Sequence, residues 1–188
     1  MVLVHRRTVM NADRIDRAIR RIAEEILEKS HDPHQVALIG IRAGGVNLTQ
    51  RIADYIKDLE GIEVLIGMLD ITLYRDDLSS ENKPLIHKTE IDFDVTGKCL
   101  VLVDDVLFTG RTIRAAMDAV MDYGRPDAIR AAALIDRGHR ELPIQPDFIG
   151  QAVTTETDEK VEVSLAESKN RGDKVVVTTE LEPEEGPQ

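Results

Sequence analysis

The segment that decides the fold reads Val103-Asp104-Asp105-Val106-Leu107-Phe108-Thr109-Gly110-Arg111-Thr112. It begins at the end of an apolar run, Cys99–Val103, which is typical of a strand covered on both faces. Beyond Thr112 the apolar residues recur with helical spacing, at Ile113, Ala116, Met117 and Val120. We therefore predict a buried strand, two carboxylates at its end, a short loop and a helix that Thr112 caps.

The same order of strand, loop and helix appears earlier in the chain. Val36–Ile41 is a continuous apolar run, and the glycine loop 42–45 leads from it into a helix that Gly61 ends. A first helix, capped by Asn11, runs as far as 31–33. Further strands are predicted at Val64–Tyr74, Ala131–Ile135, Phe148–Ile149, Val161–Val163 and Val175–Val177. Alternating strands and helices indicate an α/β fold with a central parallel sheet, whose ligands bind at the carboxyl ends of the strands.

Length and composition favour one globular domain. The chain has 188 residues, of which 42% are apolar and 31% charged, as expected of a single domain over 1–180 followed by an acidic, disordered tail at 181–188. No apolar run reaches the ~20 residues of a membrane span, and the N-terminus does not resemble a secretion signal. Cys99 is the only cysteine, so it cannot form an internal disulfide and is expected to be a small core residue. These features predict a cytoplasmic protein that does not associate with a membrane.

The charge of the chain is unevenly distributed. The net charge of −11 argues against a general nucleic-acid-binding protein, because neutralising phosphates requires a basic surface. Six arginines nevertheless fall within the first 21 residues, against two aspartates. A local basic patch on an acidic protein is therefore compatible with the sequence.

The chemistry of 103–112 is that of a site for a phosphorylated sugar. The N-terminus of the predicted helix offers unpaired backbone N–H groups and a partial positive charge to a phosphate. Gly110 lets the backbone approach that phosphate, and neighbouring threonine hydroxyls add donors. Asp104 and Asp105, as ionised carboxylates, only accept hydrogen bonds and so suit the adjacent hydroxyls of a ribose. The bland alternative is a strand that ends in two acids, followed by a helix with an ordinary cap.

On these residues the chain resembles the type I phosphoribosyltransferases, whose motif for 5-phosphoribosyl-1-pyrophosphate (PRPP) is two acids followed by a Thr-Gly loop. It is most similar to one branch, the PyrR family of pyrimidine operon attenuators with uracil phosphoribosyltransferase activity. The similarity extends over about 10–177, and three blocks carry it: Asp70–Leu78, Val101–Thr112 and Asp136–Pro143. The resemblance implies a type I phosphoribosyltransferase fold, with a small hood and a flexible flap beside the parallel sheet.

The resemblance also implies the reaction. Uracil and PRPP would form UMP and pyrophosphate with Mg²⁺ as cofactor, bound mainly through PRPP and without a dedicated protein cage. Pyrophosphate is a good leaving group and the sugar passes through an oxocarbenium-like state, so positioning and electrostatics would supply most of the catalysis. A phosphoribosyltransferase for a purine base such as hypoxanthine would share the sheet and the PRPP loop, and only 136–143 argues against it.

Family roles carry over to the matching residues. The catalytic pair Asp104 and Asp105 would hold the ribose hydroxyls, with Asp105 nearest the reacting carbon. The 5-phosphate would lie on Val106, Leu107, Phe108, Thr109, Gly110, Arg111 and Thr112. The pyrophosphate would lie on Arg42, Ala43, Gly44 and Gly45. Many members carry a basic residue in place of Gly44, so we expect a weaker pyrophosphate contact at a loop that could also be a plain tight turn.

Two further regions have implied roles. The polar stretch 75–90 would be a flap that closes over PRPP and excludes water, unless it is a disordered insertion. The flap residues at its start are Arg75, Asp76 and Asp77. The residues expected to contact the nucleobase are Ile135, Asp136 and Arg137. For the last two, the alternative is a structural ion pair between them.

PyrR proteins also bind a stem-loop of pyrimidine operon leader mRNA in response to uridine nucleotides. The residues expected to contact RNA here are Arg20, Arg21, His139 and Arg140. Arg14, Arg17 and Arg21 share one face of the predicted first helix, opposite its isoleucines. The alternative is a solvated helix face, because Arg20 and Arg21 can each pair with a glutamate one turn later.

Three departures from the family bear on RNA regulation. Glu24, Gln145 and Gln151 stand where well-known RNA-binding members carry His, Arg and Lys, and each lost cation should weaken RNA affinity. A phosphoribosyltransferase without RNA regulation is therefore a second interpretation. Family members form dimers or larger assemblies, so the resemblance also implies a homo-oligomer.

Overall fold

The computed structural model describes residues 3–42, 44–74, 88–166 and 172–181. The predictions made for Ala43, for the flap residues Arg75, Asp76 and Asp77 and for the tail beyond 181 lie outside these residues. Within them, the helices are α1 (Ala12–Lys29), α2 (Gly45–Glu60) and α3 (Arg111–Val120). The strands are β1 (Leu3–Asn11), β2 (Val36–Ile41), β3 (Leu65–Leu69), β4 (Cys99–Leu107), β5 (Ala128–Asp136), β6 (Phe148–Ala152), β7 (Lys160–Ser164) and β8 (Lys174–Leu181).

A five-stranded parallel sheet forms the centre of the fold, in the order β3-β2-β4-β5-β6. The predicted α/β fold with a central parallel sheet is confirmed. Every residue of β2 is buried, as expected of an apolar run covered on both faces. Because all five strands run in the same direction, their carboxyl ends lie along one edge, where the loops after β2, β4 and β5 meet.

The two faces of the sheet are covered by different helices. The isoleucines of α1 and the apolar side of α2 pack on one face, together with Val101 and Val103 of β4. On the other face, α3 packs on Leu100 and Leu102 of the same strand. The side chains of β4 therefore alternate between the two cores, and this packing on both faces holds the strand in place in the sheet. None of the described helices is both long enough and apolar enough to traverse a lipid bilayer.

A second, antiparallel sheet of order β1-β8-β7 brings the two ends of the chain together and forms the hood. The sequence did not predict β1. His5, Arg6 and Arg7 are exposed on this strand and obscure its apolar alternation, which reappears only at Val9 and Met10. Leu181, assigned to the tail from sequence, is the last residue of β8.

A buried ion pair joins the hood to α2. Arg51 of α2 donates hydrogen bonds to both carboxylate oxygens of Asp173 and to the carbonyl of Ala166, and the Asp173 side chain is 0% exposed. Asp173 also accepts from the backbone N–H of Ala166 at 2.8 Å. Burial by itself raises the pKa of Asp173, but the hydrogen bonds from Arg51 and Ala166 outweigh it and the net pKa is lowered. The hood is thus fixed to α2, the helix that follows the glycine loop.

Two predicted strand boundaries are wrong. β4 continues past Val103 to Leu107, which pairs with Asp136 of β5, so the two carboxylates lie within the strand and not in a loop. The apolar run stops early because this end of the strand faces a polar site. β3 ends at Leu69 and not at Tyr74, because Asp70 Oδ1 accepts the backbone N–H of Thr72 at 2.8 Å and turns the chain into a 3₁₀ helix.

The predicted cap of α3 is also wrong. The helix begins at Arg111, and its N-cap is Gly110, whose φ of 92° is in the left-handed region that favours glycine. Thr109 supplies the side-chain acceptor instead, since its Oγ1 accepts the backbone N–H of Arg111 at 3.3 Å. Thr112 does not cap the helix and instead lines the cavity at the helix N-terminus.

Candidate active site

The two carboxylates sit at the carboxyl end of β4, in the middle of the parallel sheet. Asp104 is 7% exposed, and its Oδ1 accepts the backbone N–H of Asp105 at 3.0 Å. Burial raises the pKa of Asp105 above its usual value, while the backbone N–H of Val106 and the side chain of Asp104 act in the opposite direction. A carboxylate with a raised pKa, in a cleft at the edge of a parallel sheet, is typical of a functional group.

The glycine loop after β2 packs directly on these carboxylates. A Cβ at Gly44 would overlap the carboxylate of Asp105, and one at Gly45 would overlap the carbonyl of Val103. At Gly45 the obstacle is backbone, so only glycine permits this approach, whereas at Gly44 the obstacle is a side chain that can move. The structure therefore brings the predicted pyrophosphate loop and the acid pair into contact, and a side chain at position 44 would displace Asp105.

The loop between β4 and α3 surrounds a cavity of about 390 Å³. The residues that line it are Val106, Leu107, Phe108, Thr109, Gly110, Arg111, Thr112 and Glu141. The first seven are the residues predicted to hold a 5-phosphate. The backbone N–H groups of the first turn of α3 have no intrahelical acceptors, and the helix dipole adds a partial positive charge. The arrangement suits a phosphate group.

Glu141 is a site residue that the sequence did not predict. Its Oε2 accepts a hydrogen bond from Arg111 Nε at 2.6 Å. The backbone N–H groups of Glu141 and Leu142 both donate to the carbonyl of Thr109, at 3.0 and 3.2 Å. The segment after β5 is therefore hydrogen-bonded to the loop between β4 and α3. Arg111 and Glu141 are 30 positions apart, so no local pattern in the sequence reveals this contact.

A second cavity, of about 360 Å³, lies beside the first and beyond the end of β5. Its lining residues are Asp136, Arg137, Gly138, His139, Ala152, Val153, Thr154 and Thr155. Arg137 is 7% exposed; it donates to Thr155 Oγ1 at 3.2 Å and to the carbonyl of Glu156 at 2.9 Å. Its guanidinium carbon lies 4.1 Å from the centre of the Phe108 ring, a cation–π contact that connects the two cavities. Burial lowers the pKa of Arg137.

The three residues predicted to contact the nucleobase differ in position. The side chain of Ile135 is 0% exposed and belongs to the core that α1 covers, so a contact between Ile135 and the base stays a prediction. Asp136 and Arg137 both line the cavity, but they do not pair with each other. Asp136 Oδ2 accepts from Arg140 Nη2 at 2.7 Å. The stretch 152–155, which forms the opposite wall, was missed because it follows a short strand without a motif.

Comparison with known proteins gives the family. The phosphoribosyl transferase domain family matches residues 7–177 of this chain. The bifunctional protein PyrR of Thermoanaerobacter sp. (strain X514) is 54% identical over 171 residues, which is 90% of this chain and 96% of that protein. This chain belongs to the PyrR family. It is a phosphoribosyltransferase, as the resemblance predicted.

Three other comparisons agree with the placement among the phosphoribosyltransferases. The bifunctional protein PyrR of Listeria monocytogenes serotype 4b (strain F2365) is 49% identical over 173 residues, covering 90% of this chain and 94% of that protein. Among solved structures, the hypoxanthine-guanine phosphoribosyltransferase of Bacillus anthracis has a TM-score of 0.62 at 20% identity, covering 79% and 83% of the two chains. The hypoxanthine phosphoribosyltransferase of Staphylococcus aureus has a TM-score of 0.64 at 14% identity, covering 81% and 79%. At these identities the likeness shows the fold alone.

Arg42, predicted to bind pyrophosphate in this PyrR protein, lies at the start of the glycine loop but turns towards β3. Its Nη2 is 3.6 Å from Met68 Sδ and 3.9 Å from Glu90 Oε1, too far for a hydrogen bond to the carboxylate. Its buried Nε has no hydrogen-bond partner among the described residues. The guanidinium is therefore only weakly held beside the loop.

The arginine-bearing face of α1, which we define by Arg14, Arg17 and Arg21, borders a cavity of about 270 Å³ with Gly150 and Gln151. Arg14 Nη1 donates to the carbonyl of Val9 at 3.2 Å, and Arg21 Nη2 donates to the carbonyls of Ile149 and Gly150. Beside it, the expected i,i+4 pairs form between Arg20 and Glu24, at 3.0 Å, and between Arg21 and Glu25, at 3.6 Å. The face is basic, and part of its charge is neutralised within α1.

His139 and Arg140, the other predicted RNA contacts, form hydrogen bonds within the protein. His139 has a left-handed φ of 57°, and its Nε2 is 2.7 Å from the carbonyl of Thr155. Arg140 donates to the carbonyls of Ile144 and Phe108, at 2.9 and 2.8 Å, besides its bond to Asp136. Both side chains therefore bond to residues that line the two cavities.

The family implies a magnesium ion, which prefers hard oxygen donors. Among the residues that the structure describes, no group of three or more His, Cys, Asp or Glu side chains could hold a metal. Asp104 and Asp105 supply adjacent carboxylate oxygens, the hard donors that Mg²⁺ prefers. This donor set fits an ion that takes most of its ligands from substrate phosphates and water.

Proposed function

We propose that this phosphoribosyltransferase acts on uracil and PRPP and releases UMP and pyrophosphate. The observation that supports it most is the meeting of three groups at one edge of the sheet: the acid pair Asp104 and Asp105, the glycine loop on Gly44 and Gly45, and the cavity of the β4–α3 loop. PRPP carries a phosphate at C5, two ribose hydroxyls and a pyrophosphate at C1. These three groups match those three sites.

In this reading the acid pair serves both binding and catalysis. The carboxylates accept the two ribose hydroxyls, and the negative charge of Asp105 stabilises the positive charge that develops at C1. The bond from C1 to the pyrophosphate oxygen breaks, a bond from C1 to uracil N1 forms, and the N1 proton is released. Asp104 and Asp105 would help PRPP to hold Mg²⁺, which when bound would neutralise charge on the leaving pyrophosphate.

Uracil is favoured over a purine base by the relatives. The proteins that resemble this chain over nearly their whole length are bifunctional PyrR proteins, whereas the purine enzymes resemble it at 20% identity or less. Arg137 and the backbone of 152–155 provide donors and acceptors in the cavity of about 360 Å³ beside the ribose site. These polar groups suit the carbonyl and N–H edge of a pyrimidine.

A panel of nucleobases tests this proposal. Uracil, cytosine, hypoxanthine, guanine and adenine are each incubated with PRPP and Mg²⁺, and nucleotide formation is measured by chromatography. We expect that uracil is the only base of the panel to give a nucleotide, UMP, and that no product forms when EDTA removes Mg²⁺. Product from hypoxanthine with uracil inactive would replace the pyrimidine assignment by a purine one, and no product from any base would contradict the enzyme assignment.

A second function, nucleotide-dependent binding of pyrimidine operon leader RNA, is supported by the arginine-bearing face of α1. Arg17 is exposed on this face beside a cavity of about 270 Å³. Three arginines of an otherwise acidic chain lie together there, as binding to phosphates requires. Family membership supports the same role, in a cytoplasmic homo-oligomer of two or more chains. We expect only a modest affinity for RNA, because glutamates one turn away neutralise Arg20 and Arg21 and because Gln151 carries no charge.

Titration of a pyrimidine operon leader RNA, with and without UMP at low salt, tests the second function. We expect tighter binding in the presence of UMP and a steep loss of affinity as the salt concentration rises. RNA binding that does not respond to UMP, or no binding at all, would leave catalysis as the sole function of this chain.

A further inference from the structure

Glu141 is the one acidic residue among the eight that line the phosphate cavity. A carboxylate beside a phosphate is repelled by it, and the repulsion grows as the surroundings become less polar. Its presence in a cavity otherwise made of helix N–H groups, hydroxyls and a guanidinium therefore calls for a physical reason.

The backbone at Glu141 is fixed to the phosphate loop. Its N–H and that of Leu142 donate to the carbonyl of Thr109. The side chains of Leu142 and Ile144 lie 3.5 and 3.4 Å from the position that a Cβ on Gly110 would take, so the segment packs closely on the loop. The side chain of Glu141, in contrast, is 52% exposed.

The Glu141 side chain is paired with the guanidinium of Arg111, which is expected to contact the phosphate. Glu141 Oε2 lies 2.6 Å from Arg111 Nε, a charge-assisted hydrogen bond. Arg111 is the first residue of α3, so the carboxylate also lies near the positive end of the helix dipole. A carboxylate of the protein is thus paired with the arginine that the proposed 5-phosphate site would use.

We propose that Glu141 is a built-in counter-anion that competes with the 5-phosphate for Arg111 and so weakens the binding of phosphate-bearing ligands. The proposal rests on the proposed 5-phosphate site. Substrate and product carry the same 5-phosphate, so the competition raises both dissociation constants. Because UMP lacks the pyrophosphate that adds to the binding of PRPP, the loss matters most for the product, whose release is made faster.

The test is a calorimetric titration of ribose 5-phosphate and of UMP into wild-type protein and Glu141→Gln. The amide keeps the size of the side chain and the backbone bonds to Thr109 but removes the charge. We expect both ligands to bind about 3–10-fold more tightly to the variant, with the difference shrinking at high salt. Uridine, which has no phosphate, should bind equally to both proteins. A role limited to holding the loop would affect uridine and UMP alike, or weaken UMP binding.

Two further variants sharpen the test. Glu63→Gln removes a carboxylate that pairs with Lys57 far from the cavity, and it should leave all affinities unchanged. Arg111→Gln removes the residue competed for, so adding Glu141→Gln to it should gain less than it does in the wild type. Steady-state kinetics should show a lower KM for PRPP and a lower kcat in Glu141→Gln, because UMP leaves more slowly.

The outcomes separate this inference from the function it rests on. Ribose 5-phosphate that binds the wild type and Glu141→Gln equally, or binds the variant more weakly, overturns the competition while leaving the phosphate site in place. If neither protein binds ribose 5-phosphate, the proposed 5-phosphate site fails, and the role of Glu141 fails with it.

Discussion

The carboxyl edge of the parallel sheet and the arginine-bearing face of α1 both carry charged side chains, but they hold them differently. At the sheet edge, Asp104 and Arg137 are each 7% exposed, and they come from strands whose order fixes their positions. On α1, the arginines are exposed on one helix, and some of them pair with glutamates one turn away. The first arrangement is rigid and desolvated, and the second is solvated.

This difference predicts different kinds of function for the two regions. Desolvated groups held on several elements act strongly on a reacting centre, because little reorganisation is needed and screening is weak. Solvated arginines provide a surface for a polyanion whose binding is sensitive to salt. We therefore expect catalysis and RNA binding to be separable by mutation, with large effects at the sheet edge and small ones on α1.

The largest effect is expected for Asp105→Asn. Removing the charge beside the reacting carbon should lower the turnover of uracil and PRPP by about 10²–10³-fold or more. The same variant should bind leader RNA as the wild type does, since the arginine-bearing face of α1 is unchanged. Wild-type turnover in this variant would remove Asp105 from the catalytic pair.

A smaller effect is expected for Arg17→Gln. The loss of one phosphate contact should reduce RNA affinity several-fold and lower the slope of log affinity against log salt by about 0.7–0.9. Turnover should not change. Arg125→Gln is the matched control, because Arg125 is exposed beyond α3, on the other face of the sheet. Equal losses of RNA affinity in the two variants would mean that binding depends only on the net charge of the protein and not on the arginine-bearing face of α1.

The stability of Asp105→Asn provides a third comparison. Burial raises the pKa of Asp105, so the stability that the protonated carboxyl contributes is present at low pH and is lost as the pH rises through that pKa. Asparagine does not ionise, so the variant should have the higher Tm at neutral pH, by a few degrees, because ~1 kcal/mol shifts Tm by roughly 2–4 °C in a domain of this size. The gain should disappear in acid. Scanning calorimetry of the wild type and the variant at pH 4 and pH 7.5 measures the difference in Tm at each pH. A variant whose Tm at pH 7.5 is lower than that of the wild type would contradict the burial argument.

The smallest effect is expected for Glu24→Gln. Glu24 neutralises Arg20 at 3.0 Å, and an exposed i,i+4 pair is worth only about 0.2–0.5 kcal/mol. Freeing Arg20 should therefore raise RNA affinity about twofold at low salt. Glu63→Gln, which frees Lys57 elsewhere, should give no gain. If the two variants behave alike, α1 holds no special surface.

The sequence predicts most of the sheet edge because its groups are contiguous. A strand that runs into two acids and a glycine turn can hardly place Asp104 and Thr109 far apart, and the parallel order brings Gly44 to the same edge. What it misses depends on contacts distant in the chain. Glu141 reaches Arg111 across the end of β5, and Thr155 meets Arg137 across a cavity. The sequence also does not reveal that the Ile135 side chain is buried in the core, because a residue beside a motif shares its position but not the direction of its side chain.

The central claim is that the end of β4 presents a ribose-binding acid pair and a phosphate-binding loop to one ligand. A crystal structure of the protein with UMP tests it directly. We predict the 5-phosphate against the backbone N–H groups of 109–112, the ribose hydroxyls on Asp104 and Asp105, and the uracil ring in the cavity lined by Arg137. A UMP molecule bound elsewhere, or one whose ribose hydroxyls do not contact either carboxylate, would contradict the account.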